Sequence, residues 1–581
     1  MFDFKIFYRG AFILSLFGLL AFVFDLGFSN SPMSQKILED IYFVLLGIGA
    51  LAIILRYIEK GFKVPKKVLL FDAFYISFAA LIFYDFLIAD NSLITHPLLQ
   101  SSAWIKLAVF LFFVREFFEI RFNFKRTVLN PAQLFVLSFL FIIVLGAFLL
   151  MMPNATNGNL SFIDALFTST SAVCVTGLIV VDTATFFTEF GQFIILILIQ
   201  IGGLGILTFA SYFSYFFRGK SSYENQLTLS DMTNSKNLSE VFSTLKYIIL
   251  ITLTIEFSVA TFIYFSVEEV AFPSFQKHAF FALFHSISAF CNAGFSTLTN
   301  NLYEDGFRYN YFMQLAVIAA FVLGGLGFPI VVNIMKFVSY HVRKLITFGK
   351  SKVVYKPWIL NLNSRITLIT TIALTVIGFI GFYALEYNNT LADHSGFGKI
   401  VTALFGATTP RTAGFNTIDM SKMLFPTTML VFLLMWVGAS PASTGGGIKT
   451  STFAIAILNF ISLAKGKSRI EVFRREISDI SVSRAFATIA LSLMVIGFGI
   501  LIITIKDGRF GLMHIAFECF SAYSTVGLSL GITGGLSTLS KAVLIVIMFV
   551  GRVSMLSILI ALFKKDKYKN YRYPKEEITI N

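Results

Sequence analysis

Four short segments of this 581-residue chain end in one pattern: Cys174-Val175-Thr176-Gly177, Cys291-Asn292-Ala293-Gly294, Arg411-Thr412-Ala413-Gly414 and Ser524-Thr525-Val526-Gly527. The glycines recur at intervals of 117, 120 and 113 residues. So regular a period is a fourfold internal repeat, and a repeat constrains the fold before any other feature, because each unit buries its apolar faces against its copies. The register extends upstream: Ser171, Ser288, Thr408 and Ser521 lie six residues before the glycine, and Phe167, Phe284, Leu404 and Phe517 ten before it. These offsets predict a short amphipathic helix running into an extended strand in every repeat.

The composition places the repeats in a membrane. Hydrophobic residues make up 56% of the chain and charged residues 13%, where a soluble domain carries about a quarter charged residues; the mean hydropathy is +0.79. A spanning helix needs about 20 apolar residues, and twelve candidates satisfy this: 10–28, 39–57, 68–89, 103–120, 132–152, 190–217, 245–267, 311–337, 364–387, 424–463, 484–505 and 540–563. Lysine and arginine mark the cytoplasmic loops. They crowd 56–67 (Arg56, Lys60, Lys63, Lys66, Lys67), Lys336 to Lys356, Lys465 to Arg475 and the tail from Lys564, and are missing from 90–102 and 388–396. Both termini are therefore expected in the cytoplasm, with the four glycine motifs facing outward. Lys5 and Arg9 precede an apolar run, but no small-residue cleavage site follows Phe28, so that run reads as the first span rather than a signal peptide.

The net charge of +14 fits that bias and attraction to anionic membrane lipid, and leaves room for a cytosolic docking surface. No basic soluble domain exists to bind nucleic acid. Cys174, Cys291 and Cys519 fall in the short segments without CxxC spacing, so no disulfide framework is indicated. The six histidines (His96, His278, His285, His341, His394, His514) form no HExxH and no pair beside paired carboxylates, which argues against an enzyme.

Segments 161–178, 276–295, 398–415 and 512–528 are too short to cross a bilayer. Irregular backbone at membrane depth persists only where it is buried in protein or lines water, so each is expected to be a half-helix followed by a strand on an aqueous path. Four such strands would present rings of carbonyls able to replace the hydration shell of a monovalent cation. Glycine supplies backbone angles that a side chain forbids, and the negative C-terminal ends of the half-helices favour a cation between them. The residues expected to line the filter are Val175, Thr176, Gly177, Asn292, Ala293, Gly294, Thr412, Ala413, Gly414, Thr525, Val526 and Gly527.

With one filter glycine in each of four span–pore-helix–strand–span units, the chain resembles the Trk/Ktr/HKT potassium transporter superfamily and its TrkH/KtrB-like membrane subunits over about residues 128–565. The resemblance implies an all-α polytopic membrane protein: four pseudo-symmetric repeats around a central ion pore, preceded by about four extra transmembrane helices. Glycine at all four filter positions implies K+ preference, since serine at the first goes with Na+ in that superfamily. K+ is the only bound ion implied, held by filter carbonyls, and no cofactor is implied in this chain. The resemblance further implies a homodimer, each protomer with its own pore, and a cytosolic nucleotide-binding regulatory subunit (TrkA/KtrA-like) on the basic loops. The localisation implied for this chain is the cytoplasmic (plasma or inner) membrane, crossed several times.

Each second span carries glycines at mid-membrane: Gly202, Gly203 and Gly205; Gly324, Gly325 and Gly327; Gly438; and Gly551. Close helix packing explains the first two sets. In the third repeat, Gly438, Pro441, Gly445, Gly446, Gly447 and Lys449 interrupt an apolar span, predicting an unwound loop. Ile448 between Gly447 and Lys449 rules out a phosphate-binding loop, and the resemblance implies a flexible gate under the filter. Arg552 is a charge within the last span, where ionisable residues face a cavity or a partner. It reads as a structural salt bridge or, by resemblance, as the arginine beside the gate, although the family's Gly-Pro-Leu-Thr is here Ser554-Met-Leu-Ser557. Asp182 and Asp419, five residues after their glycines, are either cation-concentrating charges of the outer mouth or solvated loop residues.

The organisation expected is an accessory N-terminal bundle at 1–125, pore repeats at 126–220, 221–340, 341–470 and 471–565, and a basic cytosolic tail at 566–581. The fourth span carries only Lys106 and Arg115, which is no voltage-sensor ladder. The function expected is K+-selective uptake driven by membrane potential. The alternatives are a Na+-coupled or Na+-permeable transporter and a non-conducting sensor on the same scaffold.

Overall fold

The computed structural model of the protein describes residues 4–28, 31–60, 66–88, 102–119, 131–218, 238–268, 272–346, 359–553 and 558–559. The loop at 90–101, residues 61–65 of the loop at 56–67, the basic tail and Ser554 to Ser557 lie outside the described residues. The chain is mostly helical and divides into two units: Met1–Lys125 with Met151–Asn159 and Phe216–Gly219, and the remainder.

The first unit holds α1 (Phe4–Gly27), α2 (Pro32–Lys60), α3 (Lys66–Ile88) and α4 (Ser102–Glu119). Its core is Leu46, Ala52, Ile53, Tyr75, Ala79, Ala108 and Phe112. Buried charges in apolar surroundings persist only when paired, and each here has its partner. Arg56 donates twice to Glu116, at 2.8 and 2.6 Å. Arg115 donates to Asp72 at 2.5 and 3.0 Å, and Lys106 meets Asp25 at 2.8 Å. Arg56, counted above as a loop charge, lies inside α2 and is buried. The Glu116 pairing, formed across 60 residues of sequence, accounts for that difference.

The second unit repeats one motif. In the first repeat α5 (Pro131–Leu150) and α7 (Glu189–Arg218) flank the short α6 (Phe162–Val173); in the second, α8 (Leu238–Ser266) precedes the short α9 (Phe275–Phe290). The following span, expected to be continuous over 311–337, is broken into α10 (Tyr311–Leu326) and α11 (Phe328–Ile346), bent by 105°. Gly327 sits at the bend with φ of 81°, and a methyl group there would lie 3.1 Å from the Ala442 carbonyl oxygen; Phe328 N donates to that same oxygen. The third repeat has α12 (Leu362–Glu386), the short α13 (Gly396–Thr408) and two half-length helices, α14 (Phe425–Trp436) and α15 (Thr450–Ala464). After a two-residue hairpin, β1 (Glu471–Val472) and β2 (Arg475–Glu476), the fourth repeat has α16 (Asp479–Asp507), the short α17 (Leu512–Ser524) and α18 (Thr538–Val553).

Among the described residues, five single helices are long and apolar enough to cross a membrane, and the bent pair makes a sixth. Several of the remaining expected spans are shorter apolar helices, such as Val136–Leu150 and Glu189–Leu204. The protein is a multi-pass membrane protein.

Candidate functional site

Three of the four short helices end beside their glycine motif through the same turn. Thr176 N donates to Ser171 O at 2.7 Å, Ala293 N to Ser288 O at 2.7 Å, and Val526 N to Ser521 O at 2.9 Å. The serine side chains brace the strand: Ser171 and Ser521 Oγ accept from Gly177 N and Gly527 N at 3.0 and 3.1 Å, and Ser288 Oγ donates to Phe295 O at 2.7 Å. In the third repeat the brace comes from Thr409, whose Oγ1 donates to Phe415 O at 2.5 Å, while Thr408 bonds back to Leu404 O. Pro410, with no N–H to give, stands in that turn and shifts it by one residue. Thr408, which stands in register with the three serines, does not brace the strand.

Two residues in each strand take left-handed backbone. Val175, Asn292, Thr412 and Thr525 have φ of 57°, 62°, 73° and 49°, and Gly177, Gly294, Gly414 and Gly527 have 90°, 70°, 77° and 91°. One residue separates the two left-handed positions in each strand. The four strands meet in a closed ring. A methyl group on Gly177 would strike the Ala293 carbonyl oxygen; one on Gly294 would lie 2.8 Å from Gly414 Cα and 3.0 Å from the Ala413 oxygen. One on Gly414 would strike the Val526 oxygen, and one on Gly527 the Thr176 oxygen. Thr176, Ala293, Ala413 and Val526 are buried, so this ring is packed backbone on backbone.

On the side of the residues that follow the glycines, a cavity of about 380 Å³ opens, lined by all four glycines, Asp182, Asp419, Asn300, Asn301, Asn416 and Tyr303. The two carboxylates are occupied in their own turns. Asp182 accepts from Ala184 N and Thr185 Oγ1 at 3.0 and 2.8 Å. Asp419 accepts from Ser421 N and Oγ and pairs with Lys422 at 3.3 Å. Burial raises the pKa of Asp419, but the Ser421 bonds and Lys422 outweigh it and hold the carboxyl below its usual value.

On the other side lies the loop between α14 and α15. Ser440 N and Thr444 N donate to Gly325 O and Gly324 O at 2.9 and 3.4 Å. Thr444 Oγ1 donates to Asn292 Oδ1 at 2.8 Å, Asn292 Nδ2 to Thr412 Oγ1 at 3.3 Å, and Gly446 N to Thr525 Oγ1 at 2.8 Å. Two of the left-handed strand residues thus hold the loop directly and Thr412 holds it through Asn292. Gly438 packs on the Gly446 carbonyl and Gly445 on Thr412, leaving no room for a side chain; Gly447 has φ of 69°. Lys449 folds back, its Nζ donating to Gly445 O at 2.6 Å. Arg552 is buried, and donates through Nη1 to Thr444 O and through Nη2 to Gly202 O at 2.5 Å. Among the described residues its partners are carbonyls, not a carboxylate. Gly202, Gly324 and Gly551 pack on the carbonyls of Val173, Phe290 and Tyr523, at the ends of their short helices, as small residues at close helix crossings do.

The model of the family described as TrkH, a cation transport protein, matches residues 105–571. The chain belongs to the TrkH family of cation transport proteins. The TrkH-family match starts within α4, earlier than residue 128, where the resemblance was placed. The Ktr system potassium uptake protein B of Bacillus subtilis is 37% identical over 451 residues, covering 77% of this chain and 96% of that protein. The potassium/sodium uptake protein NtpJ of Enterococcus hirae is 36% identical over 462 residues, covering 78% and 97%. The crystal structure of the potassium transporter TrkH from Vibrio parahaemolyticus superimposes with a TM-score of 0.59 at 19% identity, covering 85% of this chain and 97% of that one; it shows a common all-α fold. As a TrkH-family member the protein is a transporter, not an enzyme.

The structure brings Gly177, Gly294, Gly414 and Gly527 to one ring, and Gly438, Gly445, Gly446, Gly447, Lys449 and Arg552 to one side of it. Sequence reading missed Thr409 and Asn301. Asn301 Nδ2 donates to Gly294 O at 3.2 Å. Its one legible signal is position: seven residues after each glycine stand Ala184, Asn301, Ser421 and Gly534, and only asparagine among them carries an amide.

Proposed function

We propose that the protein takes up K+ across the cytoplasmic membrane, both termini inside, through the ring formed by the four strands. The observation that carries this is the closed cycle of contacts from Gly177 through Gly294 and Gly414 to Gly527 and back to Thr176. A ring of carbonyls on alternating backbone replaces a cation's water with oxygen ligands and needs no charged side chain. Val175, Thr176, Asn292, Ala293, Thr412, Ala413, Thr525 and Val526 supply the further rungs. One charge gains about 2.3 kcal/mol per 100 mV, enough to drive uptake by membrane potential. The loop Gly438 to Lys449, pinned by Arg552, is the gate. Residues 126–220, 221–340, 341–470 and 471–565 act as its four repeats. The family resemblance adds a second copy of the chain and a cytosolic nucleotide-binding regulator docking on the basic loops.

A second reading, permeation of Na+ with K+, is favoured by the name of the Enterococcus hirae relative, a potassium/sodium uptake protein. Flux of K+ and Na+ into liposomes holding the purified protein separates the two readings. Potassium-selective flux that loses selectivity in Gly177→Ser supports the filter; equal flux of both ions supports the second reading. No cation flux, with or without the cytosolic partner, overturns both and leaves a non-conducting sensor.

A further inference from the structure

Fourfold repetition does not make the outer carbonyl ring equivalent at its four positions. Gly177, Gly414 and Gly527 accept no hydrogen bond through their carbonyls from any described residue, whereas Gly294 O accepts from Asn301 Nδ2 at 3.2 Å. The asymmetry is built into the loop. Asn301 has φ of 56°, a left-handed backbone that asparagine tolerates better than most residues, and its Oδ1 accepts from Leu302 N at 2.9 Å. That fixes the amide so that its N–H end faces the glycine carbonyl.

The loop does not depend on this bond for its place. Leu302 is buried in the core of the second repeat. Ser296 Oγ meets His285 Nε2 at 2.9 Å, Arg308 pairs with Asp393 at 2.6 Å, and Asn310 Nδ2 donates to Ser266 O at 2.6 Å. With those anchors present, the Asn301 amide has a consequence beyond tethering. A carbonyl oxygen engaged by an N–H donor has less electron density for a cation, and the donor's positive end stands near the same position.

We propose that Asn301 weakens cation binding at the outermost ring, leaving three free glycine carbonyls and one engaged, and so sets the affinity with which the protein captures external K+. The proposal rests on the reading of these strands as the filter. Its physical logic is that conduction needs binding favourable enough to enter and weak enough to leave. A fourfold ring with every carbonyl free would hold the ion longer at the mouth.

The test is the concentration dependence of K+ uptake in liposomes for the wild type, Asn301→Gly, Asn301→Asp and, as a control in the same cavity, Asn300→Gly. Asn301→Gly removes the donor, stays neutral and keeps the left-handed backbone without strain. Asn301→Asp keeps the acceptor for Leu302 N and replaces the donor by an acceptor. The expected result is an apparent KM for external K+ lowered about fivefold in Asn301→Gly, the effect of one hydrogen bond, with Asn300→Gly at the wild-type value. Asn301→Asp should fall at least as far, with its excess over Asn301→Gly lost at high ionic strength. A tether alone would loosen the loop, so KM unchanged or raised in both variants overturns the role of Asn301 while the filter stands. Absence of K+ flux in the wild type overturns the filter reading itself. Should Asn301→Gly fail to fold, Asn301→Asp at high ionic strength decides by the same direction of change.

Discussion

Arg552 Nη2 donates to the carbonyl oxygen of Gly202 at 2.5 Å, across 350 residues of sequence. Its Nη1 donates to Thr444 O. The last helix thus ties the loop of the third repeat to the helix of the first, and the guanidinium sits between them without a carboxylate among the described residues.

Replacing that charge should open the path. Arg552→Gln is expected to raise initial K+ uptake several-fold in liposomes. It should also lower thermal stability by about 1.5–3 kcal/mol, the scale of a charge-assisted hydrogen bond. Uptake below the wild type in a folded Arg552→Gln protein would contradict the gate assignment.

The ring glycines should tolerate no methyl group. Gly414→Ala and Gly527→Ala are expected to abolish selective uptake, because each Cβ meets a neighbouring strand's carbonyl and each φ is positive. Gly497→Ala, in α16 with nothing within 4 Å of the added carbon, should keep full activity and gain up to about 1 kcal/mol from helix propensity.

Thr525 should couple strand to loop. Thr525→Val leaves Gly446 N without its acceptor, and a buried N–H left unpaired costs about 1–3 kcal/mol. Thermal unfolding should register that loss, and Thr525→Ser should restore both stability and uptake.

In the first unit, Asp72→Asn leaves Arg115 with a weakened partner in an apolar bundle. The expected destabilisation approaches the roughly 3–5 kcal/mol of breaking a buried pair, and the double variant Asp72→Leu with Arg115→Met should recover most of it. Thermal unfolding of the wild type and the two variants in detergent gives the comparison.

Asp419 is held below the usual carboxylate pKa. A lowered folded-state pKa keeps the charge, and the stability it contributes, at every pH above the unfolded value; both are lost only as pH falls through the lowered one. The contribution of Asp419 to K+ capture should therefore stay constant from about pH 8 down to the carboxylate range near 4. Asp419→Asn should raise the apparent KM about twofold at low ionic strength, and the effect should fade in high salt. A twofold effect that persists in salt would indicate loop disruption instead.

The place of the glycines in a ring was legible because a repeat forces like residues into like environments, and four registers agreed. The unwound segment was legible too, since Pro441 and three consecutive glycines cannot continue a helix. The bend at Gly327 was not, because Gly324, Gly325 and Gly327 in an apolar run read as close helix packing; Ala442 of another repeat makes Gly327 a break. Arg56 looked like a loop cation until Glu116, across 60 residues of sequence, took it into a helix core.

The sequence by itself determined the membrane class, the repeat, its period and the glycines at its centre, since those follow from hydropathy and local backbone freedom. Only the tertiary structure decided where the repeats differ: Thr409 in place of Thr408 as the brace, Arg552 on the carbonyls of Gly202 and Thr444, and Asn301 on the carbonyl of Gly294. Periodicity records what the repeats share. Their differences arise from hydrogen bonds between distant segments, and the partner in such a bond is chosen by packing in three dimensions.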